Sequence, residues 1–282
     1  MSTPHPSTWV DGEPVGSVSA SDRGLWYGDG VYRTLRVAAS GPLLWERHYR
    51  RLAADCAALA LPVPEERLLR PEVEALAAGC GAGVVRITVT RGRSARGYAI
   101  AAGSAPTRIV AWFPAPHRPL RWSLEGVEVR LCELRLARQP RLAGIKHLNR
   151  LEQVLARAEW SDPQIAEGLL LDAYGHVIEG TMSNLFVVEG GALATPDLSQ
   201  CGTAGIQRDR VLEWAAAEGV PASVGVLTLD RVLAADELFL VNSIIGLWPV
   251  RAIAGMRRWP PGRFPVAARL AVALAATGDG QR

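Results

Sequence analysis

A lysine, a carboxylate and a glycine-bearing helix start are the groups in this chain whose chemistry could go beyond packing. Lys146 lies in Leu142-Ala-Gly-Ile-Lys-His-Leu-Asn-Arg-Leu-Glu-Gln153, and from Leu148 the apolar residues Leu148, Leu151, Val154, Leu155 and Ala158 recur at helical spacing. That spacing predicts an amphipathic helix packed on a core, with Lys146 held at its mouth. An amine held beside apolar or cationic groups has a lowered pKa and becomes a nucleophile suited to Schiff-base chemistry. The commoner fate of a lysine at a helix start is a plain surface charge. Glu179 closes His176-Val-Ile-Glu179 just before Gly180, where an acid is either an ordinary turn residue or a charge set at a strand end. Gly202-Thr-Ala-Gly-Ile-Gln207 leads into a second amphipathic pattern. Free N–H groups at such a helix start, with the positive end of its dipole, suit an anion such as phosphate. No Gly-Lys-Ser/Thr follows, so this is not a Walker loop, and a tight turn fits the local pattern equally.

The elements that must position these groups can be read in chain order. Trp9-Val-Asp-Gly-Glu-Pro14 reads as strand and turn, and residues 17–24 as a polar loop. In Tyr27-Gly-Asp-Gly-Val-Tyr-Arg-Thr-Leu-Arg-Val37 the alternation is strand-like, placing Tyr32, Thr34 and Arg36 on one face that is either wet or turned into a cavity. Residues 44–60 form a helix ended by Pro62 and Pro64, with a core stripe of Leu44, Tyr49, Leu52, Cys56 and Leu59. It carries Arg47, Arg50 and Arg51, ordinarily solvated charges but also the residue type best shaped to clasp a phosphate. A second helix covers residues 71–78. Residues 83–91 and 107–113 are strands, and Gly92-Arg-Ser-Ala-Arg-Gly-Tyr98 between them is a basic loop. Three prolines in residues 114–119 mark a stiff linker. They divide the chain into a smaller domain (1–114), a linker (115–119) and a larger domain (120–282) carrying Lys146. In the larger domain, strands near 127–134, 167–172, 176–179, 184–188 and 236–243, joined by tight turns, indicate an antiparallel or mixed sheet with packed helices, the last over residues 265–276. The class is α+β.

Composition narrows the function. The 282 residues and 49% hydrophobic content support a sizeable core, and 31 basic against 28 acidic residues are mixed along the chain. That mixing argues against a nucleic-acid arm or a polybasic membrane patch. The cysteines, Cys56, Cys80, Cys132 and Cys201, form no C-x-x-C pair, so neither a metal knuckle nor a redox motif is indicated, and reduced thiols in a cytoplasm fit best. The opening Met-Ser-Thr-Pro-His-Pro-Ser-Thr8 lacks a basic-then-apolar signal, and no apolar run reaches membrane-spanning length. The expectation is a cytoplasmic protein with a small-molecule substrate, no metal, no nucleic acid and no membrane partner.

A lysine, an acid at a strand end and an anion-binding helix start together match the needs of pyridoxal 5'-phosphate. At these residues the chain resembles the fold-type IV pyridoxal-phosphate enzymes, the group of branched-chain and D-amino-acid aminotransferases and aminodeoxychorismate lyases. The likeness runs from Ser21-Asp-Arg23 through Gly28-Asp-Gly30 to Trp248-Pro-Val250. It is nearest the lyase branch in Thr90-Arg-Gly92, Arg96-Gly-Tyr98 and above all the uninterrupted run of residues 142–153. The resemblance implies two domains, a smaller N-terminal α/β sandwich and a larger C-terminal sheet or pseudo-barrel with helices. It also implies a homodimer with its site near the subunit interface. It makes Lys146 the Schiff-base lysine and Glu179 the partner of the pyridine nitrogen. Arg51 would clasp the phosphate, with Gly205, Ile206, Gln207 and Ser243 completing the phosphate cup. Arg96 and Tyr98 would bind a substrate carboxylate, Tyr32 and Thr34 would line the pocket, and Arg150 stands where the lyases carry arginine. Two departures bear on the pocket and one phosphate contact: Asn242-Ser-Ile-Ile-Gly246 replaces an Asn-Ala-Leu-Met-Pro type of segment, and Gln207 replaces threonine. The implied activity is lyase chemistry that releases 4-aminobenzoate and pyruvate. The alternatives are a D-amino-acid or branched-chain aminotransferase and a cofactor-free binding protein.

Overall fold

Strand alternation and two helical stripes build the first part of the chain. A computed structural model describes residues 7–100, 103–260 and 262–276. Its backbone forms two units, Met1–Pro116 with Ile145–Asn149, and His117–Gly144 with Arg150–Arg282. The first six residues, read above for an export signal, lie outside the described residues. The first unit runs β1 (Thr8–Val10), α1 (Arg23–Tyr27), β2 (Gly30–Ala38), β3 (Gly41–Pro42), α2 (Trp45–Ala58), α3 (Glu66–Cys80), β4 (Gly83–Thr90) and β5 (Thr107–Phe113). The five strands pair antiparallel in the order β1-β5-β4-β2-β3. Val31, Leu35 and Val37 face the core with Leu52 of α2, Leu69, Val73 and Leu76 of α3, and Val85 of β4. Each large aliphatic chain taken fully out of water contributes about 1.5–3 kcal/mol, and this face supplies enough of them to fix both helices.

Three expectations change here. Arg23 and Gly24, read as the end of a polar loop, open a helix that runs to Tyr27, because the Asp22 carboxylate caps the turn by accepting from the Gly24 N–H at 2.7 Å. α3 begins at Glu66, so Pro71 lies inside it; the first turn is anchored by the Trp45 indole N–H donating to Glu66 Oε1 at 2.6 Å. The segment Ile145–Asn149, assigned from sequence to the larger domain, belongs with the first unit. Its backbone pairs with the start of β2: Tyr32 N–H donates to Lys146 O at 2.9 Å, Leu148 N–H donates to Gly30 O at 2.9 Å, and His147 bridges Val31. Gly30 is required for this approach, since a Cβ there would lie 2.5 Å from Val89 O and 2.8 Å from Leu148 Cδ1.

The second unit runs α4 (Arg121–Leu124), β6 (Val127–Leu136), α5 (Leu151–Arg157), β7 (Ile165–Asp172), β8 (Val177–Gly180), β9 (Asn184–Glu189) and β10 (Ala192–Pro196). It continues with α6 (Ile206–Ala217), β11 (Ala222–Gly225), α7 (Leu229–Ala234), β12 (Glu237–Asn242), β13 (Gly246–Ile253), β14 (Arg257–Arg258) and α8 (Pro265–Ala276). The sheet is mixed, in the order β11-β10-β9-β12-β13-β6-β7-β8, with β14 on β13. Its middle is the stacked Phe186 and Phe239 pair, and Leu270 and Ala267 of α8 are buried in the same core. Among the described residues no helix is long and apolar enough to cross a membrane.

The helix expected to hold Lys146 differs most. α5 starts only at Leu151, and the supposed core stripe points outward: Leu151, Val154 and Leu155 are 68%, 60% and 54% exposed. The buried contact is Ala156, and Glu152 Oε1 accepts from the Ala137 N–H at 2.7 Å. α6 also departs from a simple amphipathic pattern, since Arg208 and Arg210 are buried on it. Arg208 donates to Pro196 O at 3.0 Å, and Arg210 to Leu274 O at 2.6 Å.

Replacing Gly30 with alanine is expected to lower unfolding free energy by about 1–3 kcal/mol through overpacking. Gly16→Ala, where a Cβ meets nothing within 4 Å, should stay within about 0.5 kcal/mol of the parent. Urea unfolding curves of the two variants check the contrast.

Candidate active site

Lys146 is fixed by its backbone rather than by a helix. Its carbonyl takes the Tyr32 N–H, and its own N–H donates to Asp55 Oδ2 at 3.2 Å. The side chain is half-buried, and Nζ stands 4.6 Å from the centroid of the Tyr32 ring. Asp55 Oδ2 also takes a charge-assisted bond from Arg33 Nη2, and both residues are almost wholly buried. A carboxylate this deep needs a cation beside it, and Arg33 supplies one from the core face of β2. His48, one face of α2 away, is buried among Arg33 and Lys146. Burial first, then those two positive charges, push its pKa down to about 3, so its imidazole is neutral.

Along α2 the polar residues His48, Arg51 and Asp55 recur at helical spacing. Arg51 is half-buried between the other two, whereas Arg50 is exposed. Tyr32 and Thr34 are half-buried on the outer face of β2, and Arg36 on the same face is exposed. Opposite them on β4, Arg86 pairs with Thr34 in register, and its guanidinium lies 4.1 Å over the Tyr32 ring. Tyr32 is therefore in cation–π contact with both Arg86 and Lys146. Arg96 and Tyr98 sit on the loop after β4. Both are exposed, Tyr98 at 84%.

In the second unit, Glu179 is the last residue but one of β8 and is buried at 4% exposure. Its Oε2 accepts from the Thr203 N–H at 2.8 Å. Thr203 is the hub of this region: its carbonyl accepts from Asn184 Nδ2 at 2.8 Å and its hydroxyl from Arg150 Nη1 at 3.1 Å. Asn184 Oδ1 in turn takes the Gly205 N–H at 3.0 Å. A Cβ on Gly205 would lie 2.3 Å from that oxygen, so only glycine fits this N-cap. No side chain caps α6, which leaves its first N–H groups, at Ile206 and Gln207, for an anion. The Gln207 side chain is engaged within the helix, its Oε1 accepting from Arg210 Nη1 at 2.9 Å. Ser243 is half-buried in the turn between β12 and β13. That turn is built by Asn242 Oδ1, which accepts from the N–H groups of Ile244 and Ile245 at 2.8 Å each.

A second buried acid of this unit is spent on folding. Glu167 accepts from the Thr181 and Met182 N–H groups and the Ser183 hydroxyl, and so shapes the turn that follows Gly180. Burial raises its pKa.

Sequence reading missed Arg33, His48, Asp55, Arg86, Asn184 and Thr203. The spacing of His48, Arg51 and Asp55 was a usable signal, a polar stripe on the core side of a helix. Nothing local marked Thr203.

Residues 30–253 match the model of the amino-transferase class IV family, and the chain belongs to that family of pyridoxal-phosphate-dependent enzymes, with its α+β fold-type IV architecture. It is 37% identical to an aminodeoxychorismate lyase of Vibrio harveyi over 87% of this chain and 91% of that protein. It is 48% identical to the crystal structure of 4-amino-4-deoxychorismate lyase from Pseudomonas aeruginosa. That likeness has a TM-score of 0.90 and covers 95% of this chain and 97% of the other. A putative branched-chain-amino-acid aminotransferase of Methanocaldococcus jannaschii is 32% identical over 86% of this chain and 85% of that protein.

The neutral His48 gives a test of this geometry. A histidine whose pKa falls from 6.5 to about 3 on folding stabilises the fold above pH 6.5, and that contribution is lost as pH falls toward about 3. Stability is expected to decline across that window by up to about 1.4 kcal/mol per pH unit from this group. Urea unfolding from pH 7 to pH 4 should show a shallower decline in His48→Gln than in the parent.

Proposed function

We propose that the chain is an aminodeoxychorismate lyase that converts 4-amino-4-deoxychorismate to 4-aminobenzoate and pyruvate with pyridoxal 5'-phosphate. The observation that carries this reading is the near full-length likeness to two lyases, at 37% and 48% identity, around a lysine whose backbone is fixed on both sides. The donor set fits the cofactor: an amine, a buried carboxylate, an arginine and an uncapped helix start match an aldehyde, a pyridine nitrogen and a phosphate.

In this reading Lys146 would hold the cofactor aldehyde, and Glu179 would hold the pyridine nitrogen. Arg51, the N–H groups of Ile206 and Gln207 beyond Gly205, and Ser243 hold the phosphate. When bound, the cofactor supplies a ring that accepts electron density from the substrate carbon. Lys146, released when the substrate amine takes its place, would then be the general base that takes the proton from C4. Loss of that proton drives cleavage of the bond from C3 to the enolpyruvyl oxygen. The ring becomes aromatic, and the released enolpyruvate gains a proton to give pyruvate. Thr203 fixes the orientation of the Glu179 carboxylate, which would otherwise rotate away from the nitrogen it would hold. Arg96, Tyr98 and Arg86 bind the substrate carboxylates, for which a planar guanidinium is the best-shaped partner, and Tyr32 and Thr34 form the wall beside Lys146. Arg150 bonds Thr203 and so buttresses the Glu179 side. The same reading makes the enzyme a cytoplasmic homodimer and residues 115–119 the linker between its domains.

Purified protein is expected to show a visible absorbance band that is lost in Lys146→Ala, together with a fall in turnover of roughly 10²–10⁴-fold or more. With 4-amino-4-deoxychorismate, fluorescent 4-aminobenzoate should appear. The second reading, an aminotransferase, is favoured by the 32% identical archaeal relative. Turnover of D-alanine or leucine with 2-oxoglutarate, and none of the chorismate derivative, would establish it and remove the lyase assignment.

A further inference from the structure

Arg23 is buried at 3% exposure in the short helix α1, and its guanidinium is almost fully used. Nε donates to Asp29 Oδ2 at 2.8 Å. Nη1 donates to Ser94 Oγ at 3.1 Å, Gly97 O at 2.9 Å and Ala99 O at 3.3 Å, and Nη2 donates to Tyr98 O at 3.2 Å. Residues 94–99 form no strand or helix, so four acceptors of an irregular loop converge on one cation. Tyr27 adds to the clamp: its hydroxyl accepts from the Gly97 N–H at 3.2 Å, its ring lies 5.2 Å from that of Tyr98, and Arg23 stands 5.0 Å over it.

The clamp is itself anchored. Asp22 Oδ2 accepts from the hydroxyls of Thr90 and Thr107 at 2.9 and 2.8 Å, tying α1 to β4 and β5. Burial acts to raise the Asp29 pKa, but the bonds and charges of Arg91 and Arg23 outweigh it and hold the carboxyl below its usual range. Arg91 also donates to the carbonyls of Leu59 and Ala60 at the end of α2, at 2.8 Å each. An ammonium offers three donors in no fixed plane and could not hold this planar fan of acceptors.

We infer that Arg23 is a positioning residue that holds the 94–99 loop so that Arg96 and Tyr98 are presented to the substrate carboxylate. This rests on the carboxylate role given to those two residues under the proposed function. Loop order fixed in advance lowers the entropy lost on binding, so the effect belongs in KM more than in kcat.

The test uses the holoenzyme. In Arg23→Gln, tryptic cleavage after the exposed Arg93 and Arg96 is expected to speed up about tenfold, as loss of charge-assisted bonds predicts. KM for 4-amino-4-deoxychorismate should rise by a similar factor, with the visible band unshifted and kcat within about threefold of the parent. Arg23→Lys should recover only part of the loss. Over an Arg96→Gln background, Arg23→Gln should raise KM by less than about twofold, because the two act through one loop. If Arg23→Gln does not fold, the double variant Tyr27→Phe with Ser94→Ala loosens the same loop and is read in the same way. Unchanged cleavage, faster cleavage with unchanged KM, or multiplicative effects with Arg96→Gln would each overturn the inference. An Arg96→Gln enzyme of unchanged KM would overturn the carboxylate reading and this role with it. A raised KM there with an unchanged KM in Arg23→Gln overturns the Arg23 inference alone.

Discussion

A single buried carboxylate, Asp55, fixes the backbone of Lys146, the lysine proposed to carry the chemistry. Its Oδ2 receives the Arg33 guanidinium and the Lys146 backbone N–H together. An unpaired charge this deep would cost several kcal/mol, so the carboxylate holds both partners firmly. The Lys146 carbonyl is paired in turn with Tyr32, which leaves the side-chain torsions as the remaining freedom of the amine. The glycines at 28 and 30 are the counterpart of this arrangement. A Cβ at Gly28 would meet Asn149 Oδ1 at 2.4 Å, and one at Gly30 would meet Leu148, so both positions are bare where the lysine segment lies against β2.

The second unit solves a parallel problem with neutral groups. Glu179 is oriented by the Thr203 N–H, and the carbonyl of the same residue is held by Asn184, which also holds Gly205 at the start of α6. One asparagine thereby sets the spacing between a buried carboxylate and the start of α6. Two acids of this unit are equally buried but differently paired. Glu167 is as deeply buried as Glu179, yet its acceptor capacity is consumed by the turn it folds.

Arginine carries much of the polar architecture. Arg33, Arg91, Arg208 and Arg210 are all buried, and each is matched to a carboxylate, a backbone carbonyl or a side-chain oxygen. The planar fork suits this use, because one side chain can satisfy several acceptors at once. A net charge of +3 therefore says little about a basic surface, since several of the positive groups are inside.

Much of the secondary structure was legible because period-two and period-3.6 patterns come directly from burial of one face: β5, β4, β2 and α2 lie where alternation and stripes put them. The resemblance carried by residues 142–153 and by Arg96-Gly-Tyr98 also sufficed to indicate the family. The same rule misled at α5, where Leu151, Val154 and Leu155 form a true stripe that faces outward, because spacing reports a shared face but not what covers it. What the sequence by itself determined was therefore the α+β class, the family and the identity of Lys146 as the residue of interest. Tertiary structure decided how that lysine is held, which unit its segment joins, and that Asp55, Arg33 and Thr203 support the site. Those facts depend on pairings between residues far apart in sequence, such as Asp55 with the peptide of Lys146 and Glu179 with that of Thr203, and local periodicity contains no information about such pairings.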